Sequence, residues 1–143
     1  MIVVVDGHIA KKIGDTPLSP EYIISITAVE ESEIDFKYCK NVLHLHINDI
    51  IVGGKAKHVP CVEDMVGLKE FVDSWDKSKH LMIHCFAGIS RSTGLAKAIS
   101  DYTGVDVVYT EEPYHNPKVY VSALTVLGLE PDKEVVRAMR KRW

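Results

Sequence analysis

One stretch near the middle of the chain constrains the fold more than any other. The apolar residues 81–83 lead into His84 and Cys85, and residues 94–99 then have the composition and spacing of a helix. This order predicts a buried strand, a tight loop and a helix in direct succession. Cys85 would then lie at the start of a helix, where free backbone N–H groups favour negative charge, so its thiol is expected to ionise easily.

The residues after Cys85 suit the binding of an oxyanion. Arg91 follows six positions later and can offer its planar guanidinium to the anion. Gly88 allows the backbone between them to turn its N–H groups inward. Ser92 can donate a hydrogen bond to the sulfur of Cys85, and His84 is expected to orient the loop from behind by hydrogen bonding. A nucleophile and an anion site are therefore predicted to share one loop.

Such a loop lacks only an acid for the hydrolysis of a phosphate monoester. Ionised sulfur attacks strongly, but the leaving oxygen needs a proton. Asp49 is the candidate, because it follows the strand pattern of residues 41–47, and sites gather where parallel strands end. The alternative that Asp49 only caps a turn with Asn48 stays open. The rivals Glu63 and Asp64 have the position of first-turn helix residues, where acids are common.

The rest of the chain alternates between strand and helix patterns. Apolar or alternating runs predict strands at 2–5, 22–27, 41–47 and 81–84. Helix patterns cover 60–75, 94–103, 117–127 and a segment from Pro131 onward. Residues 105–110 fit either a short strand or part of a helix. The alternation predicts one α/β domain over residues 1–143, with a mainly parallel central sheet flanked by helices.

Composition and charge exclude several classes of protein. Hydrophobic residues make up 46% and charged residues 26%, which are ordinary values for a globular domain. No run approaches the roughly 20 apolar residues of a membrane span, and the first residues lack a basic leader and a cleavage site. A net charge of −3 provides no basic field for nucleic acid. We therefore expect neither a membrane nor a nucleic-acid partner.

The cysteines and histidines form no recognised metal or disulfide pattern. Cys39, Cys61 and Cys85 lack paired close spacing, which indicates neither a zinc site nor a disulfide framework. His44 and His46 point to one face of a strand, where ordinary polar residues are commoner than metal ligands. The sequence therefore predicts no metal and no cofactor, and a reducing cytoplasm as the location.

The loop also carries the motif of a known family. Residues 84–92 resemble, at every fixed position, the His-Cys-x-Ala-Gly-x-Ser-Arg-Ser signature of cysteine-dependent protein tyrosine phosphatases, in their dual-specificity-like branch. Asp49 lies thirty-six residues before Cys85, a separation similar to that of the general acid in this branch. Asn116 and Pro117, followed by a helix, resemble small bacterial members. The resemblance extends from about residue 20 onward and weakens toward the C-terminus.

The resemblance implies a role for each position of the loop. Cys85 would be the nucleophile, Arg91 the phosphate clamp, Asp49 the general acid and then the base, and Ser92 the partner of the thiolate. The backbone cradle for the substrate would comprise Phe86, Ala87, Gly88, Ile89 and Ser90, with His84 in support. Phe86 stands where many relatives have a polar or charged residue. It is therefore the position expected to shape substrate choice.

These observations predict a cytoplasmic phosphatase whose partner is a phosphorylated protein. Phosphotyrosine is the expected substrate, and phosphoserine and phosphothreonine stay open because no long insertion would build a deep, selective wall. One alternative is a phosphatase of a phosphoinositide or a nucleotide. The uncharged side chains between Cys85 and Arg91 count against inositol lipids. The other alternative is a phosphoprotein-binding module without turnover, against which the intact Cys85, Arg91 and Asp49 argue.

Overall fold

The structure is a computed structural model of the 143-residue chain and describes residues 1–48 and 60–142. The strands in these ranges are β1 (Ile2–Asp6), β2 (Tyr22–Thr27), β3 (Asn41–His46), β4 (Leu81–Cys85) and β5 (Val107–Tyr109). The α-helices are α1 (Gly7–Gly14), α2 (Leu68–Ser74), α3 (Arg91–Thr103), α4 (Pro117–Val126) and α5 (Lys133–Arg140). A short 3₁₀ helix, Val62–Met65, precedes α2.

The described strands form one sheet in the order β3-β2-β4-β1-β5, and every neighbouring pair is parallel. β4 lies at the centre between β2 and β1, and each of its residues is buried. Burial on both faces favours a continuous apolar run over an alternating one, which matches residues 81–83. The predicted α/β class with a mainly parallel sheet is confirmed.

Helices cover both faces of this sheet. α1 packs on one face in a cluster with Ile23, Phe36 and Met82, whereas α2 to α5 pack on the other with Ile24 and Ile83. β1 connects to β2 in one direction along the sheet, and β4 connects to β5 in the opposite direction. Right-handed crossovers therefore require α1 and α3 to lie on opposite faces. Across residues 1–48 and 60–142, no helix combines the length and apolar surface that a membrane crossing requires.

The start of α3 packs closely against the residue that precedes α4. A Cβ atom added at Gly94 would lie 2.7 Å from the backbone oxygen of Asn116. Asn116 is fully buried, and its side-chain Oδ1 accepts hydrogen bonds from the N–H groups of Lys118 and Val119. The predicted N-cap at Asn116 is thus present. The absence of a side chain at Gly94 brings the segment before α4 against the N-terminal turn of α3.

The single helix predicted over residues 60–75 is wrong. The chain instead forms the 3₁₀ helix and then α2, with Gly67 between them at a φ of 86°. That left-handed backbone conformation favours glycine and interrupts a helix. The apolar face was nonetheless identified correctly, because Met65, Leu68, Val72 and Trp75 are all buried.

Other differences from the prediction concern one additional helix and the starting residues of two others. α1 has no counterpart in the sequence prediction: it is a short helix that buries only Ala10 and Gly14, and Asp6 caps its N-terminus by accepting a hydrogen bond from the N–H of Ile9. α3 begins at Arg91, three residues before the predicted start. The ambiguous residues 105–110 contain β5, and the last helix begins after Asp132 rather than at Pro131.

Candidate active site

Cys85 occupies the carboxyl end of the central strand. It is the last residue of β4 and is 2% exposed, and Asp6 at the end of β1 is its register partner. Arg91 begins α3 after a turn of five residues. We refer to residues 85–91 as the cysteine loop. The predicted order of buried strand, tight loop and helix is therefore present at this position.

Two hydrogen-bond donors converge on the sulfur of Cys85. The backbone N–H of Gly88 donates to Sγ at 3.3 Å, and the Ser92 hydroxyl oxygen lies 3.1 Å from the same atom. Ser92 is fully buried in the first turn of α3. Both groups can donate to a thiolate, and hydrogen bonds to a charged acceptor are stronger than those between neutral groups. The contact expected between Ser92 and Cys85 is present.

The first half of the cysteine loop is held by its carbonyl groups. The carbonyl oxygen of Cys85 accepts a hydrogen bond from His84 Nδ1 at 3.2 Å, and that of Phe86 accepts one from the backbone N–H of Gly7 at 3.1 Å. No described peptide bond is cis. In a trans peptide the C=O and the following N–H point in opposite directions. The N–H groups of Phe86 and Ala87 are therefore directed away from these anchors.

The second half of the loop is held in the same way by the segment before α4. Ile89 O accepts a hydrogen bond from the N–H of Tyr114 at 2.8 Å, and Ser90 O accepts one from the N–H of Asn116 at 3.1 Å. Thr93 Oγ1 also donates to both carbonyl groups. The following N–H groups, at positions 90 and 91, point the opposite way by the same planar geometry. A concave ring of N–H groups is the arrangement that binds anions.

Gly88 is required at its position by two independent constraints. Its φ is +71°, a left-handed conformation that side chains disfavour. A Cβ atom there would also lie 2.8 Å from the carbonyl carbon and oxygen of Val5. The loop can therefore approach the end of β1 only through a residue without a side chain.

His84 supports the loop from the face of the sheet opposite to the one on which Cys85 packs. It is 1% exposed, and burial lowers the pKa of its imidazole, which favours the neutral ring. Because a carbonyl oxygen can only accept, Nδ1 carries the proton that is donated to Cys85 O. Nε2 then accepts from the Ser25 hydroxyl at 2.7 Å, and the edge of the ring packs against Phe36. The expected position of His84 behind the loop is present.

Arg91 connects the cysteine loop to the end of β3. Its side chain is buried, and Nη1 donates a hydrogen bond to the carbonyl oxygen of Ile47 at 2.9 Å. Ile47 directly follows β3, which lies beyond β2 as seen from the central strand. The guanidinium therefore reaches across one strand at the carboxyl edge of the sheet, beside the position of Cys85.

The predicted acid Asp49 lies outside the residues that the structure describes. Its neighbour Asn48 accepts a hydrogen bond from the backbone N–H of Val29 at 2.9 Å. The rivals Glu63 and Asp64 are in the first turn of the 3₁₀ helix, as expected. Asp64 accepts a hydrogen bond from the N–H of Cys61 at 2.9 Å, so its carboxylate serves that helix terminus.

A cavity of about 420 Å³ opens beside the cysteine loop. Cys85, Phe86 and Ala87 contribute to its lining, and Ile26 and Ile34 supply further apolar surface. The Phe86 side chain is 80% exposed, although aromatic side chains of its size are usually covered. Phe86 thus presents an aromatic ring to solvent next to Cys85, at the position that the sequence analysis expects to shape substrate choice.

The support that residues 112–116 give to the loop has no counterpart in the sequence analysis, which identified Asn116 only as a helix cap. His115 in this segment lies 3.1 Å from the Tyr109 hydroxyl. Burial is the main cause that lowers its pKa to about 4, and the charges of Lys97 and Arg142 add to this effect. Burial also raises the pKa of Tyr109 to about 12, so both groups are neutral at physiological pH.

Cys39 lies away from the cysteine loop, whereas His46 is connected to the cavity beside the loop through the Thr27 hydroxyl, which is 3.2 Å from His46 Nδ1. Asn41 and Leu81 are level in the sheet, because both pair with Tyr22. Cys85 lies four residues beyond Leu81, or about 13 Å along the strand, whereas Cys39 lies two residues before Asn41. A disulfide between them would need Cα atoms within about 7 Å. His46 Nε2 pairs with Glu33 at 2.9 Å, and the described residues contain no group of three side chains able to hold a metal ion.

Comparisons with known proteins do not identify a family for this chain. No family model matches it, and neither the curated proteins nor the solved structures contain a match. The function is therefore argued from the geometry of the cysteine loop and from the motif that the loop carries.

The half-buried, neutral His115 predicts a pH-dependent stability. Its pKa in the folded chain is about 4, below the ordinary value of 6.5, so between these values the unfolded chain binds more protons. The free energy of unfolding should fall as the pH drops from 6.5 to about 4, by no more than about 3 kcal/mol from this residue. Urea unfolding of the chain and of His115→Gln across this range measures the effect.

The variant should show a shallower pH dependence than the wild-type chain. Replacing the exposed His80 by Gln is the matched control and should leave the profile unchanged. Parallel profiles for the wild-type chain and His115→Gln would contradict the assignment of a half-buried, neutral imidazole.

Proposed function

We propose that this chain hydrolyses phosphate monoesters, acting on phosphotyrosine in proteins through a cysteinyl-phosphate intermediate. The observation that carries the proposal is the convergence of Gly88 N–H and the Ser92 hydroxyl on Cys85 Sγ, inside a loop whose carbonyl groups are held by the surrounding scaffold. A thiolate at this position is stabilised by donors, and an oxyanion above it would meet the N–H groups of the same loop.

In the proposed first step, the Cys85 thiolate attacks the phosphorus atom in line with the leaving oxygen. A sulfur–phosphorus bond forms and the bond between phosphorus and the leaving oxygen breaks. The Arg91 guanidinium and the loop N–H groups offset the negative charge of the phosphoryl oxygens. The leaving oxygen takes a proton from the Asp49 carboxyl group, so the phenol departs neutral.

In the proposed second step, water attacks the phosphorus atom of the intermediate. The Asp49 carboxylate formed in the first step accepts a proton from that water, and the sulfur–phosphorus bond breaks. Ser92, at 3.1 Å, donates a hydrogen bond to the departing sulfur and stabilises it as the thiolate. Inorganic phosphate is the product, and Cys85 and Asp49 return to their starting protonation states.

The position of Arg91 supports the assignment of Asp49 as the acid. Arg91 Nη1 holds the carbonyl oxygen of Ile47, and Asp49 is two residues further along the chain. The contact brings the end of β3 to the guanidinium that would bind the phosphoryl group. General-acid catalysis requires the acid to come within hydrogen-bonding distance of the leaving oxygen, and a sequence position two residues from this contact is compatible with that requirement.

The surroundings of Phe86 support an aromatic phosphate as the substrate. Its exposed ring and the cavity of about 420 Å³ beside it offer apolar surface to a phenol ring next to the nucleophile. The resemblance of residues 84–92 to the dual-specificity-like branch of the protein tyrosine phosphatases points to the same chemistry. A cytoplasmic location is part of the proposal, because a reactive thiol persists best in a reducing compartment.

Replacing Cys85 by Ser should abolish turnover and preserve anion binding. A serine hydroxyl is a far weaker nucleophile without a base, so the rate of aryl-phosphate hydrolysis should fall more than roughly 10³-fold. Orthovanadate should still bind to the variant, as calorimetry would show. Cys39→Ser is the matched control, since Cys39 is buried at the opposite edge of the sheet, and it should keep wild-type turnover.

If Cys85→Ser retained the wild-type rate, the proposed nucleophile would be wrong. If the wild-type chain bound vanadate but never turned over any phosphate monoester, the chain would be a phosphate-binding module. A panel of phosphopeptides, inositol phospholipids and nucleotides, each run against Cys85→Ser, then identifies the preferred class of substrate.

Replacing Asp49 by Asn should slow the departure of the leaving group. The amide cannot donate an acidic proton, so kcat should fall by roughly 10²- to 10⁴-fold on phosphotyrosine peptides. The loss should shrink for aryl phosphates with acidic phenols, because those leave without help. Rates measured over a series of phenols test this dependence, and an equal loss for every phenol would assign the proton to another group.

A further inference from the structure

A second concave surface lies between α4 and α5, away from the cysteine loop. It encloses about 870 Å³, twice the volume of the cavity beside Cys85. Val121 of α4 and Val136 of α5 give it an apolar floor. Its edge carries one carboxylate, Glu130, and four cationic side chains, so the lining has an excess of positive charge; the cations are Lys133, Arg137, Arg140 and Lys141. We refer to this surface as the α5 groove.

The positive charge of the α5 groove is mostly not compensated by the chain itself. Arg137 pairs with Glu134 at 3.3 Å. In the described part of the chain, Lys133, Arg140 and Lys141 have no carboxylate within 4 Å. The groove is thus locally cationic in a chain whose net charge is −3, which favours an anionic ligand at this face.

The C-terminal end of α5 adjoins the segment that supports the cysteine loop, through a face of α5 other than the one that lines the groove. Arg142, just past α5, contacts the Glu112 carboxylate at 3.2 Å and stacks on the Tyr114 ring at 4.4 Å. The backbone N–H of Tyr114 in turn donates to Ile89 O. Glu112 and Tyr114 shortly precede α4 in sequence, so these contacts place the end of α5 near the start of α4. The two helices are therefore antiparallel. Lys141, at one end of the groove, directly precedes Arg142, so this end of the groove is the one nearer the cysteine loop, about 12 Å along α5 from Lys133.

We infer that the α5 groove docks an acidic segment of the phosphoprotein on which the cysteine loop acts. The inference rests on the proposed function, because it assigns the occupant to the substrate. An acidic polypeptide fits better than a nucleic acid, since the floor formed by Val121 and Val136 accepts apolar side chains between the acidic ones. A nucleic acid presents mainly phosphates to a cationic surface and would leave this apolar floor without a partner.

The charge of the groove is tested by direct binding. The probe is a fluorescent synthetic peptide in which glutamate alternates with valine, and its counterpart has glutamine at each glutamate position. Binding to the Cys85→Ser chain, followed by anisotropy, should require the glutamates. The double variant in which Lys133 and Arg140 are both replaced by Glu should bind the acidic peptide roughly tenfold or more weakly, because two positive charges at the edge of the groove become negative. The exposed Lys12→Glu in α1 is the matched control and should leave binding unchanged.

The link to catalysis is tested with phosphopeptides. A phosphotyrosine peptide that carries the glutamate–valine run should have a lower KM than the same peptide with glutamine, and the double variant should remove that difference. Hydrolysis of a small aryl phosphate should be the same in the double variant and the wild-type chain, because that substrate does not reach the groove.

Three results would overturn the inference. The first is equal binding of the glutamate and glutamine peptides. The second is that Lys12→Glu weakens binding as much as the double variant does. The third is that an oligonucleotide, added as a competitor, is the only probe that displaces the acidic peptide. If aryl phosphate is hydrolysed and the groove variants leave every phosphopeptide KM unchanged, the docking inference fails and the proposed function stands. If the acidic peptide binds at the groove but no phosphate ester is hydrolysed, the proposed function is the part that fails.

Discussion

The site depends on one constraint: four carbonyl groups of the cysteine loop are hydrogen-bonded to the rest of the chain, so the N–H groups that directly follow them are turned to the other side. Gly7, His84, Tyr114 and Asn116 supply those bonds from elements on both faces of the sheet. An anion bound at the proposed site would therefore meet a loop that is already held in place. Preorganised N–H donors in a partly dry site stabilise negative charge more than mobile ones do.

The same constraint explains two features of the fold. Two glycines at close approaches lie where an anchor has to reach the loop: Gly88 meets the end of β1, and Gly94 lets the residue before α4 pack against α3. The segment before α4 is in turn covered by Arg142 at the end of α5. Helices far from Cys85 in sequence therefore contribute to the shape of the loop through packing rather than through chemistry.

The sequence predicts the chemical groups better than their supports. The order of strand, loop and helix, the contact of Ser92 with Cys85 and the position of His84 all follow from local pattern and residue type. The support by Gly7 and Tyr114 could not be predicted, because a backbone N–H is present in almost every residue. α1 was missed for a related reason: its eight residues bury too little apolar surface to leave a periodic pattern.

The central claim is that Cys85 forms a covalent bond to phosphorus during turnover. The most direct measurement is to quench the chain with acid while it hydrolyses an aryl phosphate, digest it, and locate the phosphoryl group by mass spectrometry and ³¹P NMR. We predict a thiophosphate on the peptide that contains Cys85 and none on the peptides with Cys39 or Cys61. Turnover with no phosphoryl group on Cys85, or with one on another residue, would contradict the account.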